Sequence, residues 1–344
     1  MTTPPFLTDA LSGTLPEAGC AVPVAPGVWW VRMPLPFALN HINLWLLEDG
    51  AGWTVVDCGF PDDATRAAWE ALFAGPMGGR PVTRVITTHF HPDHMGLASW
   101  LTQRFDAPFH ASLAEWLWGR MLTMQGPEEC TPLAAAFYAR TGMPEALAAP
   151  LARRADAYRL AVPSVPGILH RLRDGDSLSI GGRCWRVVVG RGHAPEQTCL
   201  MCEEAGVFIS GDQVLPRISP NVSVWPQQPD EDPLSDYLAS LEDVCRRVPD
   251  SLLVLPSHGL PFRGLHARAA ELRDHHAERL AEVADACREA PKTVFQVMQA
   301  MFARDLDPIQ VRFAIGEALA HVNHLLRAGT LVRQDGTPDL YRTV

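Results

Sequence analysis

No stretch of this 344-residue chain approaches the roughly 18 uncharged apolar residues that a membrane-spanning helix needs, although 47% of its residues are hydrophobic. The reading therefore places no part of it in a membrane. The opening Met1-Thr2-Thr3-Pro4-Pro5-Phe6 lacks the basic and apolar regions of a secretory leader. Its eight cysteines lack the paired spacing of a disulfide framework. Together these absences predict a cytoplasmic protein. Cys199-Leu200-Met201-Cys202 reads as packing rather than as a redox or metal pair, because residues three apart on a strand face opposite sides. Basic charge is also short, with 29 Lys+Arg against 39 Asp+Glu and a formal net charge of −10. Residues 263–344 balance at 11 and 11, so residues 1–262, with 18 and 28, carry the whole deficit. Nucleic-acid binders usually show a basic footprint, so the expected partner is a small-molecule substrate.

Histidine, by contrast, is concentrated. Of 13 in the chain, three fall within His89-Phe90-His91-Pro92-Asp93-His94. The β-branched and apolar run Thr83–Thr88 before them reads as a buried strand. Pro92 and Asp93 look like the start of a helix through Leu101. His89 and His91 share one side of extended chain, and Asp93 and His94 emerge at the helix entry, so the ligands fall into two groups. Their spacing is not that of the helical His-Glu-x-x-His zinc motif.

Three later segments repeat one grammar, a short apolar strand followed by a potential ligand in a small-residue loop. His193 follows Cys184–Val189, Asp212 follows Val207-Phe208-Ile209, and His258 follows Leu252–Leu255. Layered α/β proteins build active sites at strand ends in this way.

The order His-x-His-x-Asp-His, a Gly-His loop, Ser-Gly-Asp and a late His resembles the metallo-β-lactamase superfamily over roughly residues 25–262. The resemblance implies an α/β fold, an αββα sandwich. It implies that His89, His91 and His193 bind one metal, that Asp93, His94 and His258 bind a second, and that Asp212 bridges both. Val56-Asp57-Cys58-Gly59 resembles the family's Val-Asp-Thr-Gly strand end, with Cys58 departing from the usual Thr. The resemblance gives Asp57 the role of orienting a ligand histidine, which metal sites generally need.

Two regions fall outside that pattern. A helical insertion is expected at about residues 111–166. Leu113, Trp116, Leu117, Arg120, Met121 and Met124 recur at helical spacing, and Leu133–Arg140 and Glu145–Arg159 look like further helices. As a lid, the insertion would line an apolar pocket with Trp116, Trp118, Met121, Met124, Phe137 and Tyr138; the alternative, favoured for any one of them, is that they pack the helices together. The second region, residues 263–344, is read as a separate unit after a catalytic domain of residues 1–262. It predicts a helix over Leu265–Glu289, another through Phe302, and a third over Pro308–Arg327 stopped by Gly329. A short hairpin around Asp335-Gly336 follows. This arrangement resembles the winged-helix tail of one branch of the superfamily. The third helix is mostly apolar and carries Arg312 and Arg327 against Glu317, so it reads as a packing or homodimerisation module rather than a DNA reader.

The chemistry follows from the ligands. A divalent cation lowers the pKa of bound water to about 7, and two of them about 3.5–4 Å apart can hold the hydroxide between them. Zinc is the default for imidazole and carboxylate ligands, with iron and manganese as alternatives. Asp212 would set the spacing of the ions and Asp93 would orient the hydroxide or take its proton. His91 stands where the superfamily's oxygen-reducing diiron branch has a glutamate, and no flavin domain follows. The expectation is a binuclear hydrolase of a small acyl-type substrate, namely a thioester, lactone or ester. The alternatives are a phosphodiesterase or endoribonuclease, motivated by the tail, and an iron-dependent sulfur dioxygenase. Arg217, Asn221, Trp116 and Tyr138 are the candidate substrate contacts.

Overall fold

The computed structural model describes residues 8–9, 15–37 and 39–344. The reading of Met1–Phe6 lies outside the described residues. Two seven-stranded sheets face each other. The first runs in the order β2 (Ala21–Ala25), β3 (Val28–Pro34), β4 (His41–Asp49), β5 (Gly52–Val56), β6 (Val82–Ile86), β7 (Phe109–Ser112) and β8 (His170–Leu172). The second runs β1 (Thr8–Asp9), β14 (Phe262–Arg263), β13 (Leu253–Pro256), β12 (Val207–Gly211), β11 (Gln197–Cys202), β10 (Arg183–Gly190) and β9 (Ser177–Ile180).

The central strands β4, β5, β11, β12 and β13 are buried on both faces, which explains why they read as apolar runs instead of alternating ones. In β4, Trp45 and Leu47 enter the core between the sheets, while Ile42, Leu44 and Leu46 face helices α1 (Asp63–Ala74) and α3 (Ala98–Phe105). Across the second sheet, Val188, Phe208 and Val254 pack under α8 (Pro233–Arg247) and α9 (Leu265–Ala286). The result is an αββα sandwich. Cys199 and Cys202 of β11 fall in different cores and are free thiols.

The helical insertion comprises α4 (Leu113–Met124), α5 (Pro127–Thr141), α6 (Glu145–Ala152) and α7 (Ala157–Ala161). It corrects two expectations. The helix expected over Leu133–Arg140 is longer, since α5 begins at Pro127, whose missing N–H costs nothing in the first helical position. The stretch expected as one helix over Glu145–Arg159 is two. The side of α4 that is buried is also not the apolar stripe. Glu115, Gly119 and Leu122 turn inward, whereas Leu117 and Met124 are exposed. The helix expected from Pro92 to Leu101 is likewise two pieces, α2 (Pro92–Met95) and α3, broken where Gly96 packs against Pro61 and the Gly59 carbonyl.

At the C-terminus, α10 (Val294–Met301) and α11 (Pro308–Arg327) follow α9, and β15 (Leu331–Gln334) pairs with β16 (Leu340–Thr343) as a hairpin. The apolar face of α11 is covered by the chain itself. Val311, Ala314, Ile315, Ala318 and Leu319 share a core with Phe137 and Tyr138 of the insertion. Among the described residues, no helix is long and apolar enough to cross a membrane.

Candidate metal centre

The site sits where five strands end. Asp57 follows β5, residues 89–94 follow β6, His193 follows β10, Asp212 follows β12, and His258 follows β13. Asp57 occupies a left-handed turn with φ 65°, a conformation that Asp tolerates better than most residues. There its carboxylate accepts hydrogen bonds from the backbone N–H and hydroxyl of Thr88 and from His94 Nδ1, the last at 2.8 Å. Gly192 has φ +98°, and a Cβ there would lie 2.3 Å from Tyr237 Cβ. Only glycine lets the His193 loop press this closely onto α8.

The ligand atoms converge in three overlapping groups: His89, His91 and His193; His89, His94 and Asp212; and Asp93, His94 and His258. Within each group, the atoms lie within 4.8 Å of one another. In the first, His89 Nε2 is 2.8 Å from His91 Nδ1 and 3.3 Å from His193 Nε2. In the last, His258 Nε2 and His94 Nε2 lie 3.4 and 3.7 Å from Asp93 Oδ2. The Asp212 carboxylate reaches His193, His258 and His94 at 3.5, 3.5 and 3.7 Å, so it touches both outer groups.

The electrostatics differ between the groups. Burial, reinforced by the neighbouring imidazoles, holds His89 well below its ordinary pKa and His91 down to about 3. These rings are neutral, with lone pairs available. Burial opposes charge on His94 too, but Asp57, Asp93 and Asp212 outweigh it and raise the pKa to about 9. Two buried carboxylates, Asp57 and Asp212, and the half-buried Asp93 thus demand positive charge. His94 Nε2 and Asp212 Oδ1 are buried without a hydrogen-bond partner among the described residues, which is costly unless something satisfies them. Bare imidazole nitrogens and carboxylate oxygens crowded together fit divalent cations.

The far side of the His193 and His258 rings is also fixed. His193 Nδ1 donates to the Asn221 carbonyl at 2.8 Å and His258 Nδ1 to the His41 carbonyl at 2.9 Å. Both bonds select the tautomer that leaves Nε2 free for a metal. Buried Asn43 holds the His258 loop by donating to the carbonyls of Pro256 and Gly259.

Sequence reasoning missed the part played by the insertion. Glu115 accepts from the backbone N–H of Phe90, inside the histidine motif, at 2.9 Å and from that of Glu196, beside His193, at 2.6 Å. Burial pushes its pKa up to about 8 against the pull of those donors. Tyr158 donates its hydroxyl to the Phe90 carbonyl at 2.5 Å. One signal was available, since Glu115 is the single charge in Leu113-Ala114-Glu115-Trp116-Leu117-Trp118-Gly119.

The candidate substrate contacts scatter. Trp116 donates Nε1–H to the Pro166 carbonyl and carries the Arg120 guanidinium on its ring. Tyr138 is buried in the core shared with α11. Arg217 is exposed on its loop. Asn221 serves His193 through its carbonyl. Beside the cluster stand Phe90, Trp118 and Trp225, with ring centres 5.8–6.5 Å apart, and Trp225 is 6.2 Å from His91.

A two-sheet sandwich with imidazoles and carboxylates gathered at its strand ends belongs to the metal-dependent hydrolase class. The chain is a member of the metallo-beta-lactamase superfamily, whose model matches residues 39–258, and the model of a metallo-beta-lactamase-like C-terminal domain matches residues 280–343. A beta-lactamase domain protein from Burkholderia ambifaria is 46% identical, with a TM-score of 0.90 over 97% of both chains. The probable metallo-hydrolase YqjP of Bacillus subtilis is 28% identical over 79% of this chain and 84% of its own. The acyl-coenzyme A thioesterase MBLAC2 of Gallus gallus is 28% identical over 69% of this chain and 79% of its own.

Proposed function

We propose that this protein is a binuclear metal-dependent hydrolase of acyl thioesters. The observation that carries the reading is the convergence of seven ligand side chains in overlapping groups beside an aromatic wall. His89, His91 and His193 would hold one divalent cation, Asp93, His94 and His258 a second, and Asp212 both. Zinc suits these ligands, and iron or manganese are the alternatives. When bound, the cations supply an acidified water and polarise the substrate oxygen.

The protein's own groups do the rest. Burial opposes ionisation of Asp93, but the charge of His94 and the hydrogen bond from His258 outweigh it and hold the pKa down to about 2. Asp93 is therefore a carboxylate at neutral pH and can orient the attacking water. Trp225 and Trp118, partly buried, offer an apolar face to an acyl chain and keep bulk water from His91. The thioesterase named among the relatives supports the choice of thioester over lactone or simple ester.

Thiol release from a series of acyl-coenzyme A esters, measured on zinc-, manganese- and iron-loaded protein, tests the proposal. Turnover is expected with an apolar acyl chain, falling by at least about 100-fold in His91→Ala while circular dichroism stays unchanged. Metal-loaded protein that cleaves lactones or simple esters but no thioester would overturn the substrate class. Inertness on all three would overturn the hydrolase.

A further inference from the structure

The loop after Asp212 runs between separate cores. Val222 is buried in the core under the second sheet, Val224 in the core of the C-terminal helices, and Trp225 packs against the core of the first sheet. Directly before them Asn221 presents its carbonyl to His193. Its side chain is held twice. The amide donates to Glu317 of α11 at 3.0 Å, and the amide oxygen accepts from the Ser223 hydroxyl at 2.5 Å. Ser223 also lies 3.3 Å from the Phe313 carbonyl of α11, and the Val224 N–H donates to the Gly316 carbonyl at 3.1 Å. A Cβ at Gly316 would lie 3.0 Å from both Ser223 and the Val224 carbonyl. Helix and loop are therefore in direct backbone contact.

We infer that Glu317 is a positioning residue for the metal centre, acting through Asn221 to fix the ring of His193 and, along the same loop, the place of Trp225. This rests on His193 being a metal ligand, as proposed above, but not on the identity of the substrate. The relay is short: a carboxylate holds an amide, the amide fixes its own backbone, and that backbone carbonyl selects the imidazole tautomer. Partners of metal-bound histidines typically matter 10–100-fold for metal affinity. Glu317 is one residue further out, so the lower end of that range applies. The C-terminal region, which supplies no metal ligand, thereby becomes part of the site.

The test is zinc or cobalt affinity by chelator competition on the full chain, with the cobalt absorption spectrum as a second readout. Glu317→Ala is expected to weaken binding by roughly 10-fold and to alter the spectrum. Glu317→Gln, which keeps an acceptor for Asn221, should restore both. If Glu317→Ala fails to fold, Ser223→Ala removes the other hold on the Asn221 side chain and should weaken binding in the same direction. Unchanged metal affinity in the folded alanine variant would overturn the inference, as would a glutamine variant no better than alanine. A protein that binds metal with this pattern but hydrolyses no thioester leaves the inference standing and removes only the substrate proposal.

Discussion

The insertion and the C-terminal helices both reach the histidine cluster, but at different removes. Glu115 and Tyr158 of the insertion bond directly to the backbone of Phe90, between two ligands of the motif. The C-terminal helix α11 bonds to Asn221, whose carbonyl then bonds a ligand. The first is a clamp on the segment that carries four of the proposed ligands, and the second is a relay to one. A clamp on backbone that is otherwise unpartnered transmits its full loss when removed, because a buried N–H without an acceptor costs about 1–3 kcal/mol. A relay loses part of its effect at each joint. The insertion is thus expected to matter more for the site than the C-terminal region.

The largest effect should come from Glu115→Ala, which strands the Phe90 and Glu196 N–H groups together and loosens both metal-bearing loops. Metal affinity should fall about 10–100-fold, more than for Glu317→Ala, and turnover should fall with it. Glu115→Gln keeps one acceptor but turns an NH₂ toward the other donor, so it should lie between wild type and alanine. Isothermal titration of metal into apo protein would rank them. Equal affinities for Glu115→Ala and Glu317→Ala would end the distinction between clamp and relay. Tyr158→Phe is the smaller cut on the same segment. It removes one hydrogen bond to the Phe90 carbonyl and keeps the ring, so a net loss of about 0.5–1.5 kcal/mol is expected, seen as a several-fold drop in kcat/KM with little change in secondary structure.

The contrast also explains what was legible in the sequence. Candidate metal ligands declare themselves by residue type, and His89, His91, Asp93 and His94 are dense enough to read as candidates without a fold. The strands were readable for a related reason, since runs such as Leu252–Leu255 must be apolar to sit between helices and a second sheet. What aims the ligands is not readable in the same way. Asn221 acts on His193 through a backbone carbonyl, a group every residue has. Glu317 appeared only as a charge opposing Arg312 and Arg327, because its partner lies 96 residues away. The face of α4 misled for a physical reason. Its apolar stripe is half exposed, while the buried carboxyl group of Glu115 took the inward position, paired with backbone donors that no periodicity reveals.

The least direct test concerns how α11 is seated. His321 donates Nδ1–H to the Glu317 carbonyl at 2.8 Å, which leaves its Nε2 to accept from His276 Nδ1 at 3.2 Å. His276 Nε2 is then buried without a partner among the described residues, so both rings are neutral. Burial, with each ring's charged neighbours, holds His276 down to about 3 and His321 to about 4. The unfolded chain takes up protons near pH 6.5, but the folded one does not until about pH 4 and below. Their contribution to stability is therefore complete above pH 6.5 and is lost as pH falls from there toward 4, at about 1.4 kcal/mol per pH unit for each ring. His276→Phe removes one such group at the junction of α8, α9 and α11, where the ring packs against Tyr237. Between pH 6.5 and 5 the variant should lose about 2 kcal/mol less stability than the wild type, measured by denaturant titration at each pH on apo protein. Parallel pH dependences for the two proteins would show that His276 takes up its proton in the folded state, and that the seat of α11 is wetter than its burial implies.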